Sequence, residues 1–267
     1  MKNFALKNLL KNKKIFITGA SGKLGSMMSY NLGLLGAELI LTDFSNKNSE
    51  KLINKLRNKK RIKFKFYYCD LEDQLEREIL IKKINLDYRT VDIVINNAAF
   101  VGKNKLEGWN EKFEKQAITT FRRALDVNLV APFHIIQLLS RLLNRSKNPS
   151  IINISSIYGI LGPKWDLYKD VKMSNPAAYA ASKGGLIQLT RWLSTTLSPK
   201  IRVNSIILGG VKDKQAQSFI KKYQNQVPLG RMADEDDIIG AIIFLSSNMS
   251  SYINGQCIKV DGGWSAW

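Results

Sequence analysis

The sequence is poor in cysteine and histidine, the residues from which disulfide frameworks and many metal sites are built. Its 267 residues include two cysteines, Cys69 and Cys257, and one histidine, His134. Two cysteines so far apart predict free thiols and a reducing, cytoplasmic location. His134 lies among apolar residues of a helical pattern, which favours a structural role, and no cluster of ligand side chains predicts a metal site.

Long apolar runs and acidic residues are also scarce. No apolar run approaches the roughly 18 residues that a membrane helix needs, so we expect no membrane partner. Residues 1–13 form a basic extension without the unbroken apolar core of a signal peptide. Lysine and arginine number 41 against 22 acidic residues, which gives a net charge of +19.

A charge of this size raises the question of a nucleic-acid partner. The densest basic stretch is 46–65, where Leu52 and Leu56 keep an apolar helical face and Lys63 and Lys65 alternate with apolar residues as in a strand. The basic side chains therefore fall on the outer face of regular elements. We interpret them as solvated, expect no nucleic-acid partner, and leave attraction of an anionic small substrate open.

Short apolar runs alternate with helical patterns along the whole chain. Strands are predicted at 14–18, 37–43, 63–69, 91–96, 150–155, 201–207 and 256–260. Helices are predicted at 26–35, 71–84, 113–144 with a bend near Pro132, 176–197 and 234–247, and a basic helix after the second strand. This order predicts a single Rossmann-type α/β domain over 14–267, with a doubly wound parallel seven-stranded sheet covered by helices on both faces.

Two stretches, about 159–175 and 209–232, fit no regular element. Each follows a predicted strand and therefore lies at the carboxyl edge of the sheet, where ligands bind in this architecture. We expect both to be substrate loops.

The stretch "ITGASGKLG" (17–25) leaves the first strand and opens the first helix. Glycines spaced by three permit a tight turn and a close approach of the backbone to a pyrophosphate, and the helix N-terminus offers free N–H groups. The predicted cofactor-binding residues in this turn are Gly19, Ser21, Gly22, Lys23, Leu24 and Gly25.

The ends of the next strands also carry candidate cofactor contacts. Asp43 ends the second strand, where a carboxylate accepts from both ribose hydroxyls of an adenosine and repels a 2′-phosphate, which favours NAD. Asp70 and Leu71 end the third strand near the expected adenine edge. Small side chains in "NNAA" (96–99) would let the backbone run beneath a cofactor, so the predicted contacts there are Asn97, Ala98 and Ala99.

The stretch "YAASKGG" (179–185) places Tyr179 and Lys183 four residues apart, on one face of a helix. That spacing alone does not separate an ordinary helical turn from a catalytic pair. Ser156 at the tip of the fifth strand and Asn128 on the long preceding helix give the pair its context.

Taken in order, these motifs resemble those of the short-chain dehydrogenase/reductase family, in its single-domain branch. The resemblance runs from Lys14 to Gly263 and is carried by "TGASGKLG", "NNAA", "ISS", "YAASK", "IRVNSI" and "VDGG". It implies a homodimer or homotetramer that uses a nicotinamide cofactor to interconvert a secondary alcohol and a ketone. It also implies that Tyr179 is the general acid/base, that Lys183 favours the phenolate and holds the nicotinamide ribose, that Ser156 binds the substrate oxygen, and that Asn128 anchors a water linking Lys183 to solvent.

The sequence departs from the family pattern in three places. Lys23 stands where the family has a glycine, so it is a candidate phosphate contact and leaves NADP open as the less favoured cofactor. Leu208 precedes Gly209 where the family has proline, so the nicotinamide amide would rely on backbone near Val211. Ser156 and Tyr179 are separated by 23 positions, which is longer than usual and indicates an insert beside the substrate.

The insert and the ending "DGGWSAW" are similar to those of reductases in bacterial surface-sugar pathways, including nonulosonate pathways. This implies a sugar or sugar phosphate as substrate. Lysines that could bind a phosphate are Lys103, Lys105, Lys164, Lys169, Lys172, Lys212 and Lys214. A polyol or fatty-acyl substrate is the alternative. A non-catalytic cofactor-sensing protein is a more distant one, because a sensor has no need of the serine, tyrosine, lysine and asparagine together.

Overall fold

The computed structural model describes residues 9–44, 47–101, 106–169 and 171–267. Within these residues, seven strands form one parallel sheet in the order β3-β2-β1-β4-β5-β6-β7. The strands are β1 (Lys14–Thr18), β2 (Glu38–Asp43), β3 (Lys63–Tyr68), β4 (Ile93–Asn96), β5 (Ser150–Ser156), β6 (Arg202–Leu208) and β7 (Cys257–Val260). The predicted doubly wound fold is confirmed.

Helices cover both faces of this sheet. They are α1 (Lys23–Leu34), α2 (Lys47–Arg57), α3 (Gln74–Asp87), α4 (Ile118–Leu125), α5 (Ala131–Asn144), α6 (Ala177–Thr196), α7 (Gln217–Gln224) and α8 (Asp236–Ser246). Strand order reverses between β1 and β4, so a crevice for ligands opens at the carboxyl ends of these two strands.

Side chains along the strands alternate between two apolar layers, one on each face of the sheet. Ile15 and Ile17 of β1 pack with α1, α2 and α8, whereas Phe16 between them packs with α3, α5 and α6. All three are fully buried, and each contributes about 1.5–3 kcal/mol by leaving water. The two layers together fix the strand ends from which the site is built.

The densest basic stretch lies on the outside of the fold, as its pattern predicts. α2 buries Leu52 and Leu56 against the sheet, and the lysines of the edge strand β3, Lys63 and Lys65, are exposed. These cations therefore form a solvated outer face.

The long helix predicted over 113–144 is divided into two. α4 ends at Leu125, a π-helical turn occupies Asp126–Val130, and α5 begins at Ala131. Pro132 lies in the first turn of α5, where its missing N–H removes no helical hydrogen bond. The break therefore comes from the π-turn that precedes the proline.

The stretch 209–232 is not irregular throughout, because it contains α7. This helix buries Phe219, Ile220 and Tyr223 on one face, which stabilises it although it has only eight residues. The other stretch without a predicted element, 159–175, holds a 3-10 turn at Trp165–Tyr168.

Part of the expected N-terminal extension packs against the domain. Leu10 is fully buried in the core, and its N–H donates to the carbonyl oxygen of Leu35 at 3.1 Å. Residues 1–8 lie outside the described residues.

Candidate active site

The predicted site residues lie along the carboxyl edge of the sheet. The glycine-rich turn follows β1, Asp43 ends β2 and Ser156 ends β5. The remaining candidates are Asp70 and Leu71 after β3, Asn97, Ala98 and Ala99 after β4, Asn128 in the π-turn, Tyr179 and Lys183 on α6, and Gly209 and Val211 after β6.

The glycine-rich turn needs two of its glycines for steric reasons. Gly19 has a φ of +61°, and a Cβ there would lie 2.7 Å from the Cα of Ala98. A Cβ on Gly25 would overlap the carbonyl oxygen of Gly19. The turn is therefore close-packed in the way that lets backbone approach a pyrophosphate.

The N-terminus of α1 is suited to an anion. Gly22 caps the helix without a side-chain hydrogen bond, and the first turn carries no acidic residue. The free N–H groups and the positive end of the helix dipole therefore favour phosphate. This fits the diphosphate of a dinucleotide.

Lys23 has partners other than a phosphate in this structure. Its ammonium donates to the carbonyl oxygen of Lys212 and lies 3.3 Å from a carboxylate oxygen of Glu235. Asp213 is at 4.0 Å. Lys23 thus ties the first turn of α1 to the loop after β6 and to the start of α8, a contact that the sequence pattern did not indicate.

Asp43 holds the glycine-rich turn through its carboxylate. Oδ2 accepts from the N–H of Ser21 at 2.9 Å and from the hydroxyl of Ser21 at 2.5 Å, and Oδ1 accepts from the N–H of Phe44 at 2.9 Å. The charge therefore stands between the phosphate-binding turn and the end of β2, where the ribose of an adenosine would lie.

The end of β3 is also fixed by hydrogen bonds. Asp70 accepts from the N–H of Glu72 at 2.9 Å and donates its own N–H to Glu76 at 2.6 Å. The carbonyl oxygen of Leu71 accepts from the buried guanidinium of Arg77 at 2.5 Å. These bonds give Asp70 and Leu71 a defined position at the expected adenine edge.

Thr18 is a site residue that sequence analysis missed. Its hydroxyl accepts from the N–H groups of Asn97 at 3.1 Å and Ala98 at 3.0 Å. The amide of Asn97 in turn donates to the carbonyl oxygens of Thr18 and Gly19, both at 3.0 Å. The position of Thr18, a hydroxyl residue immediately before the glycine-rich turn, is the feature of the sequence that could have indicated this role.

Ser156, Tyr179 and Lys183 come together at the end of β5. Ser156 lies beside the phenol of Tyr179, whose pKa it lowers, and accepts from the N–H of Tyr158 at 3.2 Å. The Nζ of Lys183 lies 5.8 Å from the centroid of the Tyr179 ring and donates to the carbonyl oxygen of Ile154 at 2.8 Å. A half-buried phenol, a buried hydroxyl and a buried ammonium thus lie together at the end of β5.

Burial controls the ionisation of this group. It raises the pKa of Tyr179, and the hydrogen bond from Ser156 opposes that rise. Burial also lowers the pKa of Lys183 to about 8. The resemblance implies that Lys183 favours the phenolate, but here its ammonium is directed to Ile154 and burial dominates at Tyr179. Near neutral pH the tyrosine is therefore a phenol that can donate a proton.

Asn128 is fixed on both sides of its amide. Oδ1 accepts from the N–H of Phe100 at 2.6 Å, and Nδ2 donates to the hydroxyl of Ser182 at 3.0 Å. The residue is fully buried in the π-helical turn, and such turns are frequent at functional sites. Asn128 thereby joins the loop after β4 to the turn of α6 that carries Lys183.

The insert between β5 and α6 packs against α7 and the C-terminal segment. The Tyr168 ring lies 5.6 Å from the Phe219 ring between centroids, and Phe219 lies 6.0 Å from Tyr223. Tyr223 stacks on Trp264 at 4.5 Å, and Leu167 is buried beneath. A continuous set of aromatic contacts therefore joins the insert, α7 and the C-terminal segment.

The loop after β6 is held close to this wall. Gly209 donates to the carbonyl oxygen of Val260 at 2.9 Å, and Gly210 donates to the hydroxyl of Tyr223 at 2.5 Å. Val211 pairs with Ala233 through an isolated bridge. These contacts fix the backbone near Val211, and its expected contact with the nicotinamide amide stays a prediction.

The candidate phosphate-binding lysines differ in their surroundings. Lys164 donates to Gln226 at 2.7 Å, and Lys169 pairs with Asp166 at 2.6 Å. These two lysines are exposed, as are Lys172, Lys212 and Lys214, and Lys103 and Lys105 lie outside the described residues.

Comparison with known proteins agrees with this geometry. Residues 19–265 match the family model described as Enoyl-(Acyl carrier protein) reductase. The chain is 28% identical to post-translational flagellin modification protein A of Campylobacter coli, over 96% of this chain and 99% of that protein. It is 32% identical to a 3-oxoacyl-[acyl-carrier-protein] reductase of Rickettsia typhi, over 94% and 96%.

Solved structures show the same architecture. A short-chain dehydrogenase from Leptospira borgpetersenii with bound NAD⁺ has a TM-score of 0.81 at 29% identity and covers 96% of this chain and 93% of its own. A gluconate 5-dehydrogenase from Burkholderia cenocepacia, in complex with NADP and tartrate, has a TM-score of 0.85 at 22% identity, covers 98% and 99%, and supports the fold alone. The chain belongs to the short-chain dehydrogenase/reductase family and is an oxidoreductase acting on CH–OH or ketone groups.

Proposed function

We propose that this enzyme uses NAD to interconvert a secondary alcohol and a ketone on a sugar or sugar phosphate of surface-glycan biosynthesis. The observation that carries the reaction is the placement of Ser156 beside the half-buried phenol of Tyr179, with the ammonium of Lys183 next to that ring. In this proposal Tyr179 moves the proton at the substrate oxygen, and Ser156 holds that oxygen.

In this proposal each residue of the site has a separate role in the reaction. The bound nicotinamide supplies or accepts the hydride. Tyr179, kept protonated by burial, donates to a carbonyl oxygen, and as a phenolate it accepts from an alcohol. Lys183 places a positive charge beside the phenol below about pH 8 and loses it above. Asn128 fixes the position of the loop after β4 relative to α6. Its expected role in holding a water remains a prediction.

The test is the paired variant Tyr179→Phe and Tyr252→Phe, the latter on a fully exposed ring. Tyr179→Phe should lower kcat by about 10²–10⁴ with little change in NAD affinity. Wild-type turnover by Tyr179→Phe would reject the assignment.

We propose NAD as the cofactor because Asp43 presents a buried carboxylate at the end of β2. A 2′-phosphate placed there would meet like charge, and the Lys23 ammonium is engaged elsewhere. Related structures are known with NAD⁺ and with NADP, so both cofactors occur within the fold.

Asp43→Asn removes the charge while its amide oxygen can still accept from the Ser21 N–H. We expect it to narrow the ratio of dissociation constants for NADP and NAD, measured by fluorescence of the reduced cofactors. A wild type that binds NADP more tightly than NAD would contradict the proposal.

A sugar substrate is supported by the insert, whose aromatic and phenolic side chains line the substrate side, and by the relative involved in flagellin modification. A fatty-acyl substrate is the second candidate, because a 3-oxoacyl reductase is among the relatives. Absorbance assays with NADH on keto-sugars, their phosphates and acetoacetyl esters decide between them. The sugar proposal fails if only the acetoacetyl esters are reduced.

We further propose that the sugar is anionic, held by an exposed lysine such as Lys172. Lys172→Met should raise KM for a sugar phosphate more than for the free sugar, and rising salt should weaken kcat/KM for the phosphate alone. Equal kcat/KM for both sugars in the wild type would show that no charge is recognised.

A homodimer or homotetramer in the cytoplasm completes the proposal. Ile118 of α4, Phe133 of α5 and Trp192 of α6 are exposed apolar residues that an interface would cover. Cys69 and Cys257 are free thiols, as a reducing compartment allows. None of the helices that the structure describes is long and apolar enough to cross a membrane. Light scattering after size exclusion gives the oligomer size.

A further inference from the structure

The insert contributes a tyrosine hydroxyl to the site that neither the family motifs nor the mechanism use. Tyr168 lies in the 3-10 turn Trp165–Tyr168, and its hydroxyl is 2.7 Å from that of Tyr158. Tyr158 lies two residues after Ser156, in the 3-10 turn Ile157–Gly159 that follows β5. The pair thus connects the insert to the strand end that carries the candidate catalytic serine.

The pair lies next to the reacting group. The N–H of Tyr158 donates to the Ser156 hydroxyl at 3.2 Å. Burial is the main cause that raises the pKa of Tyr158 and of Tyr168, and charge on Tyr179 raises both further. The three phenols therefore share one region, and Tyr158 and Tyr168 remain protonated donors near neutral pH.

The hydroxyls of Tyr158 and Tyr168 carry one proton each, and the hydrogen bond between them uses only one of the two. Whichever hydroxyl donates, the other keeps a proton, and among the described residues no acceptor for that proton is recorded. Both side chains are only partly buried. A hydroxyl that accepts one hydrogen bond is a better donor for a second.

The surroundings hold Tyr168 in place. Its ring lies between Trp165, at 6.0 Å between centroids, and Phe219, at 5.6 Å. The neighbouring Leu167 is 2% exposed and anchors the 3-10 turn in the core of the insert. A donor fixed in this way loses little entropy when it binds a ligand.

We propose that the Tyr158–Tyr168 pair determines substrate specificity by donating a hydrogen bond to a second oxygen of the substrate, apart from the one that reacts. The proposal rests on the proposed function. It adds that the group recognised by the insert is an uncharged hydroxyl of a polyhydroxylated chain. A hydrocarbon at the same place would leave the donor unpaired, which disfavours it.

The experiment compares two uncharged six-carbon probes, sorbitol with a hydroxyl on every carbon and 2-hexanol with one. NAD-linked oxidation is measured for wild type, Tyr158→Phe, Tyr168→Phe, the double variant and the exposed control Tyr252→Phe. We expect Tyr158→Phe to lower kcat/KM about tenfold on sorbitol and at most about threefold on 2-hexanol. The double variant should lose less than the product of the single losses, because the pair acts as a unit. NAD affinity and Tm should stay near wild type.

Equal losses on both probes, or no loss on sorbitol, would overturn the proposal while leaving the sugar function standing. A wild type that reduces ethyl acetoacetate but leaves sorbitol unchanged would instead reject the sugar function. The tyrosine proposal would then fall as well, because it names a hydroxyl of a polyhydroxylated chain. A wild type with no activity on sorbitol, 2-hexanol or ethyl acetoacetate would overturn the tyrosine proposal, whereas the sugar function is tested by the keto-sugars and their phosphates.

Discussion

Replacing Lys183 by methionine should change how the stability of this protein depends on pH. Burial lowers the pKa of Lys183 from 10.5 to about 8, so the folded state disfavours the ammonium. A shift of that size is worth about 3 kcal/mol of destabilisation at neutral pH. Because the folded pKa lies below the unfolded one, the cost is present in full below pH 8 and disappears as the pH rises toward 10.5. Methionine keeps much of the apolar stem and has no charge to bury.

Urea unfolding of both proteins without cofactor, at pH 7, 8 and 9, measures this effect. From pH 7 to pH 9 the wild type should gain about 1 kcal/mol relative to Lys183→Met. Other titrating groups, such as Cys69, whose pKa burial raises to about 12, are present in both proteins and cancel in the difference.

Lys200→Met, at an exposed lysine, is the control and should show no such trend. A difference between wild type and Lys183→Met that stays constant from pH 7 to pH 9 would refute the reasoning.

Three further predictions concern the cofactor end of the site. Lys23→Gly should lower the free energy of unfolding by less than about 1 kcal/mol, because the Lys23 ammonium is bound to carboxylates at a partly exposed site. For the same reason the Kd for NAD should stay within about threefold of the wild-type value. A tenfold weaker Kd would show that Lys23 contacts a phosphate. Gly25→Ala should lower Tm and weaken NAD binding at least tenfold through overlap with the turn, whereas Gly240→Ala in α8, with open space around it, should keep or raise Tm; a benign Gly25→Ala would contradict the close packing. Thr18→Val should cost about 1–3 kcal/mol in urea unfolding by leaving two N–H groups without an acceptor, and Thr18→Ser should restore most of it; equal losses would point to packing instead.

The sheet could be predicted because its signals are local. Most strands are short, largely apolar runs that need no alternation because both of their faces are buried, and the edge strand β3 alternates lysine with apolar residues. The same locality placed Asp43, Ser156 and the glycine-rich turn at strand ends. Their common edge followed from the topology of the fold, before any distance between them was known.

The features that sequence analysis missed depend on distant contacts. α7 is too short to be stable alone and forms because Phe219 and Tyr223 pack against the insert and Trp264. The partners of Lys23 include Lys212 and Glu235, which are 189 and 212 positions further along the chain. The π-helical turn around Asn128 could not be predicted from the sequence, because the apolar residues on both sides of it follow the period of an ordinary α-helix.

The part of the site that carries the reacting groups and the part that we propose to bind the substrate are built from different elements. This difference affects substrate specificity. The reacting half uses strand ends and one helix, and relatives named for quite different substrates align with this chain over nearly their whole length. The half that we propose to bind the substrate comes from the insert and α7, where Tyr168 packs against Trp165 and Phe219 while lysines such as Lys172 are exposed. Ordering a free lysine costs up to about 2 kcal/mol of side-chain entropy, whereas the held phenol has already lost its freedom. Discrimination between a sugar and an acyl chain should therefore depend on the fixed hydroxyls, and the lysines should add to affinity only where the substrate carries a phosphate.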